Sequence, residues 1–327
     1  MHRFFILFSI AVGFTWSATA AEIPAWRTAL STAHPLVGKI WRTDAAEFVA
    51  PAILIKQLTV ADYVFLGEKH DNPDHHRLQA WILESLVAAG KRPAVVWEMI
   101  DEEKQAAIDS YMASATRDAD GFGKAVDWDR SGWPAWQEYR PIAEIALASG
   151  LPMVAGNLPR KTVREIGRGG LAALSAARRA RLGLDQSLSV AASDAMLNVV
   201  TKAHCDLMPR TALGPMVDVQ RARDAVLADN LVRAKIRAGS AVLIAGGGHA
   251  RHDFGAPNTV AVLAPNARIV TVTLIEVEDG ETDPTRYASR FSAATLPFDF
   301  VWFTPRANDR DYCAELRERF KGHKKTK

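Results

Sequence analysis

The 327-residue sequence has only two cysteines, and its charge is nearly balanced, with 40 basic and 37 acidic residues. Two cysteines are too few for a disulfide-framework domain. Two alternatives remain open: Cys205 and Cys313 form a single bridge, or Cys205, which lies between His204 and Asp206, is a free thiol near a site. A net charge of +3 lacks the strong basic excess typical of nucleic-acid binding, so no nucleic-acid partner is expected.

Long apolar runs are also scarce. The run 4–16 covers about 13 residues, short of the roughly 20 that a membrane-spanning helix needs, and no later segment reaches that length. It follows Arg3 and is followed by the small residues 18–20, so it has the form of a secretory signal cleaved near Ala20. No cysteine lies in or just after it for lipid attachment. We therefore expect an exported, periplasmic protein without a transmembrane segment.

Several catalytic signatures are missing as well. The triple glycine at 246–248 has neither the G-x-G-x-x-G spacing of a dinucleotide site nor the Lys-Ser/Thr of a phosphate loop. The chain also lacks G-x-S-x-G and H-E-x-x-H. These absences argue against a serine hydrolase of the α/β type and against a zincin.

What the sequence does contain is an alternation of short apolar runs with longer segments of helical period. Such alternation is typical of a parallel sheet covered by helices. It predicts strands at 63–66, 94–97, 153–155, 241–245, 269–275 and 300–303, with helices at 75–89 and 216–238. We therefore predict an α/β fold with a mostly parallel central sheet flanked by helices, forming one domain over 21–310.

Three further segments have distinct compositions. Glycines interrupt the helical stretch 160–205, which predicts several short helices forming a cap inserted in the domain. The glycine- and aromatic-rich segment 115–134 is predicted as a loop or lid. The basic residues of 311–327 predict a frayed, solvated tail, with peripheral contact to an anionic membrane surface as the less favoured alternative.

Polar side chains follow four of the predicted strands. Glu68 and His70 come after the first, Glu98 after the second, Asn157 after the third, and His249 after the fourth. Ligands of open parallel sheets bind beyond the carboxyl ends of the strands, where loops diverge. We therefore expect these side chains to meet over one rim of the sheet.

The segment GEKHDNPDHH, 67–76, continues from the first strand into a helix. Asn72 followed by Pro73 predicts an N-cap and a first helical residue. His75 and His76 would then lie in the first turn, where the helix dipole keeps imidazole neutral and able to bind metal. Solvated histidines at a helix start are an equally good interpretation.

An aromatic segment at 128–139 and a polar block on the helix 216–238 are the remaining candidates. The aromatic spacing is most typical of a core, but it also fits a flat apolar cofactor such as a porphyrin, with a phenolate of Tyr139 on ferric iron. In the polar block, Gln220 or Arg221 would face the pocket, and an arginine would hold carboxylates bidentately. The alternative is ordinary pairing of arginine with acidic neighbours.

Seven ordered segments together resemble the ChaN-like family of exported haem-binding uptake proteins, related to the group that includes erythromycin esterases and Tiki-type metalloproteases. They are GEKHDNPDHHRLQ, VVWEM, WPAWQEYRPIAEIAL, MVAGNLPR, AHCDLMP, QRARDAVLADNLV and VLIAGGGHARHDFGAP. The resemblance implies an α/β fold, haem b bound at a homodimer interface through a tyrosine, and a role in haem or iron acquisition. Tyr139 matches the W-x-x-Y position of the third segment.

Two hypotheses follow for the site. In the first, the protein binds haem through Tyr139 as iron ligand, and propionate contacts or a second ligand come from His70, His75, His76, His204, His249 and Arg221. In the second, the protein is a metal-dependent hydrolase in which a divalent ion or an activated water is held by Glu68, His70, Glu98 and His249.

Overall fold

The computed structural model describes residues 22–324, so the segment interpreted as a secretory signal lies outside the described residues. Within them, eight strands form one sheet. They are β1 (Ile40–Arg42), β2 (Glu47–Val49), β3 (Tyr63–Glu68), β4 (Ala94–Asp101), β5 (Met153–Asn157), β6 (Ala241–Gly246), β7 (Ile269–Glu276) and β8 (Phe300–Thr304). The strand order is β2-β1-β8-β7-β3-β6-β4-β5.

The sheet is parallel from β8 to β5, and only the edge strands β1 and β2 run antiparallel. The prediction of a mostly parallel sheet is therefore confirmed. β3 and β6 lie side by side near its centre and are buried along their whole lengths, which explains their continuous apolar character. The edge strands β1 and β2 were not predicted, because three residues are too few to show a period.

Helices cover both faces of the sheet. They are α1 (Pro51–Val60), α2 (Pro73–Ala88), α3 (Gln105–Met112), α4 (Ala119–Ala125), α5 (Trp136–Ala148), α6 (Arg160–Gly169), α7 (Ala176–Arg181), α8 (Val190–Ala203), α9 (Gly214–Ala238), α10 (Gly247–Ala250), α11 (Ala256–Leu263) and α12 (Tyr312–Lys324). α1, α2 and α5 pack on one face, while α9 and α11 cover the other. In the range 22–324, no helix has both the length and the apolar character needed to cross a membrane.

The start of α2 follows the expected capping pattern. The Asn72 side chain accepts a hydrogen bond of 2.9 Å from the backbone N–H of Asp74, and Pro73 is the first helical residue. The prediction of this N-cap is confirmed. The cap matters for the site because it fixes the direction in which the chain leaves β3. It thereby also fixes the positions of the histidines in the 67–76 segment.

Two segments differ from their predictions. The segment 115–134, predicted as a loop or lid, contains α4 and a 3-10 turn at Trp128–Arg130, and its Phe122 and Trp128 are buried. Trp128 packs edge to face with Trp97 and Trp136, and Phe122 contacts the same two rings at a tilt, which makes this segment part of the core. The segment 311–327, predicted as a frayed tail, contains α12 instead.

α12 is tied to the cap by a disulfide bond between Cys205 and Cys313. The alternative of a free thiol at Cys205 is therefore wrong. The predicted cap range 160–205 contains α6, α7 and α8 with a 3-10 turn at Gly170–Ala173, and these helices lie over the carboxyl end of the sheet together with α9.

Candidate functional site

Glu98, near the end of β4, is the central acceptor of the site. Its side chain is 1% exposed, accepts a 2.5 Å hydrogen bond from Arg223 Nη2 and a 2.6 Å bond from the backbone N–H of Gly246. His249 Nε2 lies 3.3 Å from the same carboxylate. Burial alone would raise the pKa of Glu98, but His249 and Arg223 outweigh it and hold this pKa well below its ordinary value.

His249 is held between two buried carboxylates. Its Nδ1 donates a 2.6 Å hydrogen bond to Asp224 Oδ1, and its Nε2 faces Glu98. Burial lowers the pKa of this histidine, whereas Glu98 and Asp224 raise it more strongly, to about 9. His249 is therefore an imidazolium at neutral pH, with both ring nitrogens engaged.

Three aromatic side chains contact a second carboxylate, that of Glu68 at the end of β3. It accepts hydrogen bonds from His70 Nδ1 at 2.7 Å and from the Tyr139 hydroxyl at 2.5 Å, and His76 Nε2 lies 3.3 Å away. Burial would raise the pKa of Glu68, but the opposing charges of His76 and His70 hold it well below its ordinary value. Glu68 is therefore a buried anion.

His70 joins the two carboxylate groups. Its Nε2 lies 3.9 Å from Glu98 Oε2 while its Nδ1 binds Glu68, and these carboxylates raise its pKa although burial lowers it. A Cβ atom on Gly246 would sit 2.7 Å from His70 Nε2. The first glycine of the 246–248 run is thus required because the end of β6 passes directly beside this ring.

Asn157 at the end of β5 completes the rim. Its Nδ2 donates to the backbone carbonyl of Glu98 at 2.9 Å, and its Oδ1 accepts from Arg223 Nε at 3.2 Å. The carboxyl ends of β3, β4, β5 and β6 therefore bring Glu68, Glu98, Asn157 and His249 together, as the strand-end pattern predicts.

A cavity of about 700 Å³ opens above this rim. One wall is apolar and comes from α6, α8 and α9, with side chains of Val163, Met196, Val199, Val200, Met216 and Val219. The polar floor includes His70, Glu98, Arg223 and His249, and His204 lies at the end of α8. The volume lies within the range of about 300–1,000 Å³ common for cofactor sites.

The charged groups of the floor differ in their exposure to the cavity. The carboxylates of Glu68 and Glu98 are 0% and 1% exposed, whereas the side chains of His70 and Arg223 are 33% and 23% exposed. His70 and Arg223 are therefore the more accessible partners of these carboxylates, and Glu98 also lines the cavity. The partly exposed guanidinium of Arg223 favours a ligand with an anionic end such as a carboxylate.

Tyr139, the predicted iron ligand, does not line this cavity. It is fully buried, stacks on His76 with ring centroids 3.9 Å apart, and donates its proton to Glu68. Burial and the adjacent carboxylate raise the pKa of Tyr139 far above its ordinary value, so the phenolate form is disfavoured. The structure thus places this hydroxyl in a hydrogen bond beneath the floor, away from a ligand position.

The two histidines of the α2 start are also buried below the floor. His75 accepts from the backbone N–H of Lys69 at 2.8 Å and donates to Thr304 Oγ1 at 2.8 Å, and burial lowers its pKa to about 3. His76 differs, because Glu68 and Glu138 overcome the effect of burial and raise its pKa to about 9. The raised pKa of His76 opposes the expectation of a neutral imidazole there, and neither ring lines the cavity.

Arg221 faces away from the cavity. Its Nη2 donates to the backbone carbonyl of Gln186 at 2.7 Å, and its side chain lines a separate cavity of about 430 Å³. Gln220 and Arg223 face the 700 Å³ cavity instead. The residues that sequence reasoning missed are Arg223 and Asp224, whose only signal was membership of the polar block on α9.

The metal-dependent alternative finds no coordinating group in the described residues. Across 22–324, no set of three or more His, Cys, Asp or Glu side chains is placed to hold a metal ion. His70 and His249 instead bind carboxylates through hydrogen bonds and ion pairs.

Comparison with known families shows to which family the chain belongs. The model of the family "Haem-binding uptake, Tiki superfamily, ChaN" matches residues 54–260, which include β3 to β6 and most of the cavity lining. The chain belongs to this haem-binding family. No curated protein matches the sequence significantly.

One solved structure agrees on the fold, and two others match it less well. A structure described as cofacial haem binding to ChaN of Campylobacter jejuni superimposes with a TM-score of 0.63 at 23% identity, covering 80% of this chain and 95% of that one. An erythromycin esterase, EreC, in its open conformation gives a TM-score of 0.43 at 11% identity, covering 84% and 99% of the two chains. The type III effector HopBA1 gives 0.41 at 12% identity, covering 77% and 91%.

Proposed function

We propose that this protein is an exported haem-binding protein that acts in haem or iron acquisition. The observation that carries the proposal is the cavity above the sheet rim, which has an apolar helical wall and a floor that presents cations. Haem combines a flat apolar macrocycle with two carboxylates, so its two parts match the two surfaces. Membership of a haem-binding family supports the same conclusion.

The apolar wall would take the macrocycle. Burying a few hundred Å² of porphyrin surface contributes several kcal/mol at roughly 25 cal/mol/Å². When bound, haem would supply an iron centre to the cavity. Attachment would be noncovalent, as in haem b, because both cysteines are in the disulfide and the sequence has no C-x-x-C-H motif.

The floor would hold the propionates. Arg223 is the outer cation of the Glu98 group, and a guanidinium binds carboxylates with two parallel hydrogen bonds. His70 is the more exposed partner of Glu68, and its raised pKa favours the protonated ring that would donate to a second propionate. The buried carboxylates Glu68 and Glu98 keep the His70 ring and the Arg223 guanidinium in place.

Hemin titration tests this function, with Arg223→Gln and Arg221→Gln as a matched pair. Both arginines lie on α9, but only Arg223 faces the cavity. We expect the wild type to bind hemin with a shifted Soret band. Arg223→Gln should weaken binding roughly tenfold, the loss of one charge-assisted contact, while Arg221→Gln should leave the affinity unchanged.

Hemin dimethyl ester separates propionate recognition from a general loss of packing, because the ester keeps the macrocycle and has no carboxylate. We expect Arg223→Gln to have little effect on ester affinity. Equal weakening of hemin and ester binding would contradict propionate recognition by Arg223. Failure of the folded wild type to shift the Soret band would contradict haem binding itself.

Export and dimer formation belong to the same proposal. The signal-like segment before Ala21 supports export, and amino-terminal sequencing of protein from a periplasmic fraction should find a mature chain that starts near residue 21. The family resemblance supports a homodimer around haem. Sedimentation of the protein with and without hemin should show a rise in mass on hemin addition if this is correct.

A further inference from the structure

The helical cap contains a strongly basic segment. Residues 160–181 include seven basic side chains and a single acidic one, Glu165. The basic side chains are divided between α6 and α7. Each arginine of α7 lies within ion-pair distance of a carboxylate, in the pairs Arg178–Glu102, Arg179–Asp185 and Arg181–Asp229. The charges of α7 are therefore matched inside the chain.

The four cations of α6 have no such partners. They form the α6 basic stripe, which consists of Arg160, Lys161, Arg164 and Arg168. All four are exposed, and in the part of the chain that the structure describes none of them forms an ion pair. Burial raises the pKa of Asp101, and the charge of Arg160 opposes this shift without forming an ion pair. Like charges four residues apart on a helix repel, so within the chain the stripe only costs stability.

The stripe occupies the outer side of its helix. At 100° per residue, its four side chains lie within about 100° of one another around α6. The other sides face the protein, because Ile166 is buried and both Val163 and Gly167 line the 700 Å³ cavity. The stripe is therefore the exposed face of a helix that forms one wall of this cavity.

A further exposed cation and an indole ring adjoin the stripe. A Cβ atom on Gly132 would lie 3.2 Å from Arg160 Nη2, so the turn at 130–133 contacts the start of the stripe. In this turn the side chain of Arg130 is 84% exposed and lies 4.0 Å from Asp127, and Trp133 is half-buried. Basic side chains beside a tryptophan are typical of surfaces that lie at a membrane–water interface.

The composition of the stripe distinguishes between kinds of anionic partner. Every exposed residue of α6 is either charged or a glycine, so this face lacks the apolar centre that protein interfaces have. Its arginines follow one another at intervals of about 6 Å along the helix. Guanidinium groups bind phosphate oxygens through paired hydrogen bonds, and such a row matches many phosphates on a surface better than one bound anion.

We propose that the α6 basic stripe docks this protein on a bilayer of anionic phospholipids, through contacts between its cations and the lipid phosphates. Clusters of basic residues on a helix are attracted to anionic lipid surfaces, and salt screens this attraction. Docking in this way would place the membrane surface beside the α6 wall of the cavity. The inference goes beyond the proposed haem-binding function and does not depend on it.

Vesicle sedimentation with the purified full chain tests the proposal. We expect binding to mixed vesicles of phosphatidylcholine and phosphatidylglycerol at low salt, and loss of binding at high salt or with phosphatidylcholine alone. The double variant Arg164→Glu, Arg168→Glu should bind the mixed vesicles at least roughly tenfold more weakly. The control, Lys56→Glu with Arg237→Glu, makes the same change in net charge at exposed positions outside the cap and should bind as the wild type does.

Circular dichroism checks that both variants are folded, and Arg164→Gln with Arg168→Gln replaces the first pair if the charge reversal prevents folding. Equal weakening in the two double variants would overturn the proposal, because net charge alone would then explain binding. Full binding by the stripe variant, with loss only on removal of residues 322–327, would assign the contact to the basic end of the chain instead. Stripe-dependent binding of polyglutamate without vesicle binding would indicate an acidic protein partner and would overturn docking on lipid.

Discussion

The hydroxyl of Tyr139 offers the sharpest test of the site geometry, because the structure and the family resemblance give it different roles. In the structure it donates a 2.5 Å hydrogen bond to Glu68 and does not line the cavity. If it ligated iron instead, its oxygen would face the macrocycle. Tyr139→Phe removes this oxygen and keeps the ring that packs on His76 and Trp128.

The expected loss of stability follows from the charge of the hydrogen-bond partner, Glu68. A hydrogen bond to a charged group contributes about 1.5–3 kcal/mol net, and Glu68 is a buried anion that keeps His70 and His76 as its other partners. We therefore expect the free energy of unfolding to fall by about 2 kcal/mol. With a urea m-value of about 3 kcal/mol/M, the midpoint would fall by roughly 0.7 M.

Two measurements on the same variant check this reasoning. Urea unfolding followed by circular dichroism reports the loss of stability, with the disulfide kept oxidised. Hemin titration reports the ligand, and the Soret band of Tyr139→Phe should match the wild type. Tyr287→Phe is the control, because its buried hydroxyl has only neutral backbone partners, at 2.9 and 3.1 Å, and should cost about 1 kcal/mol.

The reasoning would be refuted by either of two results. Wild-type stability in Tyr139→Phe would show that the hydroxyl is not bonded to a buried carboxylate. A Soret shift in Tyr139→Phe that is missing in Tyr287→Phe would show that this tyrosine binds the iron.

Three further predictions concern pH, strain and the disulfide. Folding raises the pKa of His249 from an ordinary 6.5 to about 9. The stabilisation that this shift provides, about 3 kcal/mol at most, is complete below pH 6.5 and is lost as the pH rises through 9. The free energy of unfolding should therefore decline between these two pH values, and it should decline less steeply in His249→Gln. Asp206 has a φ of 56°, in the left-handed region that glycine adopts freely, so Asp206→Gly should stabilise the protein by about 1 kcal/mol in urea unfolding; a loss of stability would contradict this prediction. Replacing Cys205 and Cys313 by serine should cost about 4 kcal/mol in urea unfolding, since the bridge spans 108 residues; unchanged stability would contradict this argument.

Much of the framework could be predicted from the sequence because it depends on local patterns. The apolar runs of β3 and β6 identify strands buried on both faces, and the Asn72-Pro73 pair marks the start of α2. Parallel strands end at the same edge, so the residues that follow them were expected to meet there. The contact of Asn157 and His249 with Glu98 agrees with this rule.

The roles of individual side chains depended on tertiary packing. Arg221 and Arg223 are both plausible pocket residues in the sequence, but at 100° per residue they point about 200° apart around α9, and only the docking of that helix decides which one faces the cavity. Tyr139 lies 71 residues from Glu68, and Cys205 lies 108 residues from Cys313. Local periodicity reports whether a segment is buried, whereas the partner of a buried polar group depends on which distant segments pack against it.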